Sequence, residues 1–595
     1  MSNSVANEIR DSIKEQGSNE VLDFALDHEF PEYERQRGLD AIVTADDHSH
    51  KCPVYVRKIP PCSYGCPADE DIRGYHNILR EIRKDKDKDK WVRAFNLIAE
   101  KNPFPSVMGR VCPAPCESKC NRNYLDETVG INSVEHAIGQ FALDNNLQYA
   151  KPEKTTDKNI AVVGGGPGGL SCAYQLALRG HKVTIYEELP KLGGMMRYGI
   201  LHYRVEREVL DAEIQRILNL GTIEVKHGVK IGRDISFDEI RKKHDAVFLG
   251  VGAMAGRKLP VPGGEDSPYA TSAAAFLKAF EDNQTNMTHG QNIVVVGDGD
   301  VAMDVARLSL RLGAKATLLS AVPREEMNCL DYEFDEATSE GAGVEYLLSV
   351  IEILRDGDKV TGIKCVKMEK KEKGEENWNS PIPFLRYKPV AGSEFTKECD
   401  MVVASIGQTT DMTGLEEACK GPFLNVEKLN YSVKKMEGVF GGGDAVKIDL
   451  ITTAIGHGRK AAEAIHEYVN GRELPQKVRE DVVPFEDLHT YHFPKRPMNK
   501  RTHNHFENAA GNFDQILNLL TPETACEESD RCMSCGECFE CKMCMLYCPQ
   551  EAIKMFRTNP TGEVMFTDYS KCVGCHICAE VCPCGFIEMG MGEDL

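Results

Sequence analysis

Cys538, Cys541, Cys544 and Cys548 are separated by two, two and three residues, and Pro549 closes the run. Cys572, Cys575, Cys578 and Cys582, closed by Pro583, repeat that spacing 34 residues later. Thiolates are soft, anionic ligands that suit iron in a sulfide cage. Two matched copies of one spacing argue against a single zinc ion. In a paired C-x2-C-x2-C-x3-C-P arrangement, the fourth Cys of each run ligates the cluster of the other. A second group lies near the start: Cys62-x3-Cys66-Pro67, then Cys112-Pro113-Ala114-Pro115-Cys116-x3-Cys120. Here spacing alone leaves zinc and iron–sulfur both open. Cys532 and Cys535 extend the three-residue rhythm upstream of Cys538, and Cys584 follows the second run. Free thiols are the expectation for these three, with a small extra metal site as the alternative.

Of 23 cysteines, six lie between Cys52 and Cys120, twelve between Cys526 and Cys584, and only five in the long stretch between. A secreted disulfide framework would not cluster in this way. Dense groups at both ends read as cluster sites in a reducing cytoplasm.

A different chemistry is written between them. The apolar strand Asn159 to Val163 runs into Gly164-Gly165-Gly166-Pro167-Gly168-Gly169, then a helical stretch, then a strand ending on Glu187. Gly164 permits the tight turn, Gly166 lets a pyrophosphate approach the backbone, and Gly169 lets the helix pack on the strand. The helix N-terminus faces a diphosphate, and Glu187 can accept from ribose hydroxyls. A second unit runs from Ile293 to Val296 into Gly297-Asp298-Gly299-Asp300-Val301-Ala302, with Ala302 in place of the third Gly. Counting the same interval from Gly297 lands on Ser320 rather than on an acid. A third feature, Val439 to Ala445, is a strand ending in Gly443-Asp444. In two-dinucleotide flavoproteins such an Asp meets the ribityl and pyrophosphate region of FAD, so the FAD domain reads as split by the nucleotide domain.

These sites need a multidomain α/β frame. The expected order opens with a helical N-terminal iron–sulfur domain (1–150). The first half of an FAD-binding domain (151–290), an NAD(P)H-binding domain (291–394) and the second half of the FAD-binding domain (395–472) come next. A linker (473–525) and a ferredoxin-like α+β module with two [4Fe-4S] sites (526–595) follow. Both dinucleotide domains are Rossmann-type. Residues 1–50 give no chemistry, only a weak helical pattern. A chain of 595 residues is too long for one core. A net charge of −21 argues against nucleic acid and against an anionic membrane surface. No apolar run is long enough to span a bilayer and the polar start carries no secretory signal, so a cytoplasmic protein is expected.

From about residue 50 to 470 the chain resembles the flavin-bearing small subunit of glutamate synthase and its relatives. The resemblance rests on Gly109-Arg110-Val111-Cys112-Pro113-Ala114-Pro115-Cys116 through Cys120, on Gly164 to Gly169, and on Leu192 to Ile200. It rests also on Val296 to Arg311 and on Gly441 to Ala445. With the ferredoxin module appended it looks most like stand-alone iron–sulfur flavoproteins that serve another enzyme, such as the one partnering reverse dissimilatory sulfite reductase.

The resemblance implies bound FAD, with Pro167, Gly194 and Arg197 joining Gly164, Gly166, Gly169, Glu187, Gly443 and Asp444. It implies an N-terminal [4Fe-4S] cluster on Cys66, Cys112, Cys116 and the segment-matched Glu135. A second such cluster would use Cys62 and Cys120. Its other ligands normally come from a CxxC just upstream, where this chain has Lys58-Ile59-Pro60-Pro61 and only Cys52 further back. Three or four clusters are therefore expected. Leu201 stands where relatives have Pro. The nucleotide would lie on Gly297, Gly299, Asp300, Ala302, Ser320 and Arg324. NADP-dependent relatives carry two Arg after the second strand of that domain, where this chain has Ala321 and Val322, so NADH is expected over NADPH. Arg324 is the residue that could reach a 2′-phosphate. The cofactors carry the chemistry and no acid–base residue is required. The implied acceptor is a partner redox enzyme, of sulfite reductase or 2-oxoacid oxidoreductase type, or a small carrier, with the chain as a homodimer. The alternatives are a glutamate synthase small subunit and an electron-wiring subunit without nucleotide turnover.

Overall fold

Short, mainly apolar runs, such as Ile160–Val163, Ala246–Leu249 and Met401–Ala404, set the centres of the two sheets, as parallel strands covered on both faces require. The computed structural model describes residues 51–85, 88–265, 267–282, 291–475, 481–504, 509–555 and 565–591. Residues 1–50, with their weak helical pattern, lie outside these. In the first sheet Asn159–Val163 sits at the centre, flanked by Ala246–Leu249 and Lys182–Glu187, with Val439–Gly441 and Ile223–His227 at the edges. All pairings are parallel, with Ile160 opposite both Val183 and Ala246. The second sheet is built alike, in the order Gly343–Glu345, Lys315–Leu319, Asn292–Val296, Met401–Ala404 and Ala270–Ser272.

The second sheet moves the expected boundaries. Ala270–Ser272 and Met401–Ala404 pair into it, and Phe395–Glu398 pairs with Lys359–Lys370 of the antiparallel sheet beside it. The cuts at 290 and 394 therefore fall inside the nucleotide unit. The crossing between the two units is the antiparallel pair Ala255–Gly256 with Gln408–Thr409. A strand of three residues carries too little periodicity to be assigned from sequence.

The helical N-terminal region is drawn tight by glycine. The helices Pro105–Val111 and Ile131–Asp144 touch backbone to backbone. A Cβ on Gly109 would lie 2.4 Å from His136 Cα, and one on Gly139 would lie 2.4 Å from Ser106 N. The short helices Pro61–Gly65 and Pro115–Lys119 each begin on proline, which is pre-set for the first helical position, and they pack together.

The described parts of the expected linker, 481–504 and 509–525, are an embedded strap. Val483 is buried against Leu488, Phe493 and Met533. Arg501 donates to Gly109 O at 2.5 Å and to Asn132 Oδ1 at 2.7 Å. Ile516 is buried in the nucleotide core, and Phe513 stacks on Phe280 at 5.4 Å. Helix Pro522–Ser529 then packs on Ile72–Asp85 and Ile131–Asp144. Its Glu528 accepts the Gly130 N–H at 2.7 Å and pairs with Arg531 at 2.6 Å. Single buried residues, not a periodic face, hold this segment, which is why its sequence has the look of a linker.

The C-terminal module is completed from the other end of the chain. Cys52–Tyr55 pairs antiparallel with Ile587–Gly590, Cys52 opposite Gly590. Tyr55 stacks on Phe586 at 5.7 Å and its hydroxyl meets Thr567 Oγ1 at 2.7 Å. The first described strand thus belongs with this module and not with the helical domain. Among the described residues, no helix is long and apolar enough to cross a membrane.

Candidate functional site: two dinucleotide crevices and a line of thiols

Gly164 turns the chain at φ 97°, where a Cβ would lie 2.4 Å from Gly250 O. A Cβ on Gly169 would lie 1.9 Å from Gly164 O, so helix Pro167–Leu178 sits directly on its strand. Gly166 is different. The nearest atom to its Cβ would be Gly194 Cα at 3.7 Å, an ordinary contact. Protein packing does not demand glycine there, and a phosphate approaching the backbone does. Gly164, Gly166, Pro167, Glu187, Gly194, Gly443 and Asp444 line one cavity of about 360 Å³. Both oxygens of Glu187 accept backbone N–H groups, Gly165 to Oε2 and Leu189 to Oε1, each at 2.7 Å. Gly443, at φ 65°, donates its N–H to His457 Nδ1 at 3.2 Å. Burial lifts the Asp444 carboxyl to about 6. The residues fit a flavin dinucleotide.

Arg197 does not join this wall. It is buried, its Nε donates to Leu192 O at 2.7 Å and its Nη2 pairs with Asp211, so it braces the Leu192–Gly194 turn. Lys278, from helix Ala273–Glu281 of the nucleotide unit, lines the cavity, as do Asp411 and Thr413 just past the crossing strand Gln408–Thr409. They stand in no motif with the glycines, and Lys278 is brought in only by the packing of the two units.

The second crevice repeats the first. Gly297 has φ 139° and its Cβ would lie 2.2 Å from Ser405 O. A Cβ on Gly299 would meet nothing within 4 Å, so only a ligand gives glycine a reason there. Asp300 opens helix Asp300–Arg311, and Ala302 is fully buried beneath it. The acids of this turn are occupied: Asp298 accepts from Asn328 Nδ2 at 2.9 Å and Asp300 from the Leu330 N–H at 2.8 Å. Ser320 is buried and its hydroxyl donates to Val322 O at 2.8 Å. Arg324 pairs with Asp331 at 2.6 Å and lies 4.0 Å over the Phe334 ring. Leu201 is buried in this unit's core, beside Tyr203.

The C-terminal thiols gather in two adjoining groups. Cys544 has Cys541, Cys582, Cys538 and, beyond them, Cys578 around it, and Cys578 has Cys575, Cys572 and Cys548. Near the N-terminal helices Cys112 faces Glu135 and Cys66, and Cys116 faces Cys66 and Cys112. Glu70, which no motif signalled, joins them. Asn102 Nδ2 donates to Glu70 Oε1 and to Glu135 Oε1, each at 2.9 Å. Burial raises both carboxyls, Glu70 to about 7, and the charge of Glu70 lifts Glu135 further. Two buried thiols, the half-buried Cys112 and two buried carboxyls facing one another are a donor set in want of a cation, which an iron–sulfur cluster supplies.

Cys52 is not near Cys62 and Cys120. Its strand carries it to Cys572 of the C-terminal module, so it is removed from the second N-terminal set. Cys584 Sγ lies 3.8 Å from Cys582 Sγ.

The FAD crevice and the N-terminal thiols share a wall. Helix Ile451–Val469 lines the cavity with Ile451 and Ala454, and two residues on, a Cβ at Gly456 would lie 2.1 Å from Pro67 O. Pro67 follows Cys66 directly.

Residues 158–458 match the family described as Pyridine nucleotide-disulphide oxidoreductase. Residues 34–147 match dihydropyrimidine dehydrogenase domain II, 4Fe-4S cluster, and residues 537–586 match 4Fe-4S dicluster domain. The β subunit of an NADPH-Fe(3+) oxidoreductase from Geobacter sulfurreducens is 33% identical over 80% of this chain and 75% of its own. The β subunit of an NADP(+)-dependent formate dehydrogenase from Moorella thermoacetica is 30% identical over 80% of this chain and 70% of its own. The small chain of an NADPH glutamate synthase from Halomonas elongata is 32% identical over 69% of this chain and 88% of its own.

Proposed function

The chain belongs to the pyridine nucleotide-disulphide oxidoreductase family and is an FAD- and iron–sulfur-dependent oxidoreductase, and from that premise we propose that it exchanges electrons between a nicotinamide dinucleotide, NADH by preference, and a partner redox enzyme or small carrier. The observation that carries this reading is the shared wall: helix Ile451–Val469 holds Ala454 on the FAD crevice and Gly456 against Pro67, next to Cys66. FAD, when bound, supplies the exchange between a two-electron nucleotide and one-electron clusters. The chain's own residues bind and orient. Gly166 and the residues after Pro167 in the first turn of helix Pro167–Leu178 offer backbone N–H groups to a diphosphate, Gly164 makes the turn with its own N–H bonded to Tyr186 O at 2.8 Å, Glu187 stiffens that turn, and Gly299 leaves room for the second dinucleotide. No side chain of these crevices is assigned a proton to move.

The NADH preference rests on the turn after Lys315–Leu319. Val322 is fully buried, Ser320 is bonded inward, and Arg324 already pairs with Asp331. Lys370 and Arg386, the other cations at this turn, converge on Glu326. A 2′-phosphate placed here would compete with acids for each of them. The partner is of sulfite reductase or 2-oxoacid oxidoreductase type, the residence cytoplasmic, where free thiols persist, and the chain a homodimer, to be checked by mass in solution.

A second reading, the small subunit of a glutamate synthase, is supported by the likeness over 69% of the chain. The ferredoxin-like module at 537–586 favours the first. Anaerobic mixing with NADH, then NADPH, with a dye acceptor present, tests the proposal. Flavin bleaching and dye reduction are expected. Absence of bleaching with both nucleotides would leave only a wiring subunit, and capture of a glutamine-dependent large subunit would favour the second reading.

A further inference from the structure

Cys62 and Cys120 stand together without the upstream thiols that the family likeness would supply, and the fold brings two others to them. Cys120, Cys532 and Cys535 surround Cys62, and Cys535 is in turn flanked by Cys532 and Cys120. We propose that Cys62, Cys120, Cys532 and Cys535 together hold a further [4Fe-4S] cluster, a composite site whose ligands come from both ends of the described chain. The site is independent of which nucleotide the second crevice prefers.

The loop that carries Cys532 and Cys535 is held for this purpose by one face of helix Ile72–Asp85. Arg73, His76, Asn77 and Arg80 recur at the three- and four-residue intervals of that face. Arg73 Nη1 donates to Cys535 O at 2.6 Å and to Lys58 O at 2.9 Å. Asn77 Nδ2 donates to Ser534 Oγ at 2.9 Å, and Arg80 donates to Cys532 O. His76 Nδ1 meets Ser529 Oγ at 3.0 Å on the preceding helix. Arg73 Nε also pairs with Glu537 at 2.8 Å; none of these grips is on a thiol, and the sulfurs of Cys532 and Cys535 face Cys62.

Donors aim at the sulfurs instead. Asn121 Nδ2 lies 3.8 Å from Cys535 Sγ, and the Ser534 N–H lies 3.5 Å from Cys532 Sγ, in a turn where Ser534 takes φ 51°. Such N–H···S contacts are what ligand sulfurs of iron–sulfur clusters receive. Arg80 adds an independent sign. Its guanidinium lies 4.8 Å over the Phe539 ring, and its Nε and Nη1 are buried without a hydrogen-bond partner. A guanidinium in that state calls for a nearby anion, and a cube held by four thiolates carries net negative charge.

Position fits as well. Cys62 precedes Cys66 by four residues and Cys120 follows Cys116 by four, across the two short packed helices. Cys535 precedes Cys538 by three. The composite site therefore lies between the Cys66, Cys112, Cys116 set and the C-terminal sets. Four thiolates also suit zinc. Counts of iron, sulfide and zinc per chain separate the two.

The test uses the full chain purified anaerobically. Iron and acid-labile sulfide should stand near about 16 per chain, four clusters of four, and native mass spectrometry should count four clusters. The Cys532→Ser/Cys535→Ser and Cys62→Ser variants should each fall to about 12 and lose the same EPR signal on reduction, while keeping FAD. Cys526→Ser, on the same segment but outside the set, should keep all four. A wild-type chain with three clusters would overturn the proposal without any variant. So would full iron in the double variant, loss of a different signal from Cys62→Ser, or one zinc per chain in place of the fourth cluster.

Discussion

Asn102 donates its Nδ2 to Glu135 Oε1 at 2.9 Å, which fixes a buried carboxylate among Cys66, Cys112 and Glu70. If Glu135 is the fourth ligand there, Glu135→Ala should alter one cluster's EPR signal and slow electron flow beyond FAD. Bleaching of the flavin by NADH should persist. Glu70→Gln separates the two carboxylates: it should leave that signal in place. An unchanged spectrum in Glu135→Ala, with a changed one in Glu70→Gln, would hand the role to Glu70.

Gly169→Ala places a methyl 1.9 Å from Gly164 O. The helix must lift off its strand, at about 1–3 kcal/mol. The variant should melt several degrees lower and retain less FAD after gel filtration, as read from the ratio of flavin to protein absorbance. Arg197→Gln removes the brace on the Leu192 turn without touching the cavity wall. It should lower the melting temperature more than it lowers flavin occupancy at saturating FAD.

Nucleotide choice is decided by steady-state assays with both donors. kcat/KM should favour NADH by about tenfold or more, the cost of two missing charge-assisted contacts of ~1.5–3 kcal/mol each. Ala321 is partly exposed and Val322 is fully buried. Ala321→Arg should therefore raise NADPH use, whereas Val322→Arg should destabilise the domain first. Equal or better kcat/KM with NADPH in the wild type would defeat the preference.

Burial holds three histidines neutral: His76 falls to about 3, His181 to about 4 and His457 to about 4. Each folded value lies below the ordinary value near 6.5. Unfolded chains therefore bind more protons below that pH, and stability is full above about 6.5 and lost as pH falls toward the folded values. Melting temperature should decline steadily from pH 7 to pH 5. His181→Gln should flatten the slope, because His181 Nε2 meets His466 Nδ1 at 2.8 Å and that contact holds only one proton.

Cys584 is a thiol 3.8 Å from Cys582, the expected fourth ligand of its run. Cluster potential depends on hydrogen bonds to the sulfurs, and an S–H donor favours the reduced, more negative state. Cys584→Ala should lower the potential of one C-terminal cluster in a redox titration and leave iron content unchanged. Loss of iron would make Cys584 a ligand in place of Cys582.

What a sequence declares follows from range. Gly164 to Gly169 and Cys538 to Cys548 declare themselves because each constrains neighbours within a turn or two. Cys52 misleads for the complementary reason: the nearest thiols along the chain are Cys62 and Cys66, while strand pairing sends it to Cys572. Cys535 meets a region more than 400 residues away, as its carbonyl's bond to Arg73 spans 462 positions. No local spacing encodes that. Glu70 stays hidden because ligand counting follows thiols, and the strap of 481–504 and 509–525 because Val483 and Ile516 are isolated anchors without a period.

The pairing of Cys52–Tyr55 with Ile587–Gly590 also sets a schedule. At about 5–20 residues per second, roughly half a minute to two minutes of synthesis separates one strand from the other. For that time the helical region has its thiols but not its strap, its edge strand or the loop at Cys532. Closing so long a loop is costly before any contact rewards it. Assembly of the early cysteines with iron is thereby tied to completion of the polypeptide, and a chain released before residue 590 would leave its opening domain unsealed.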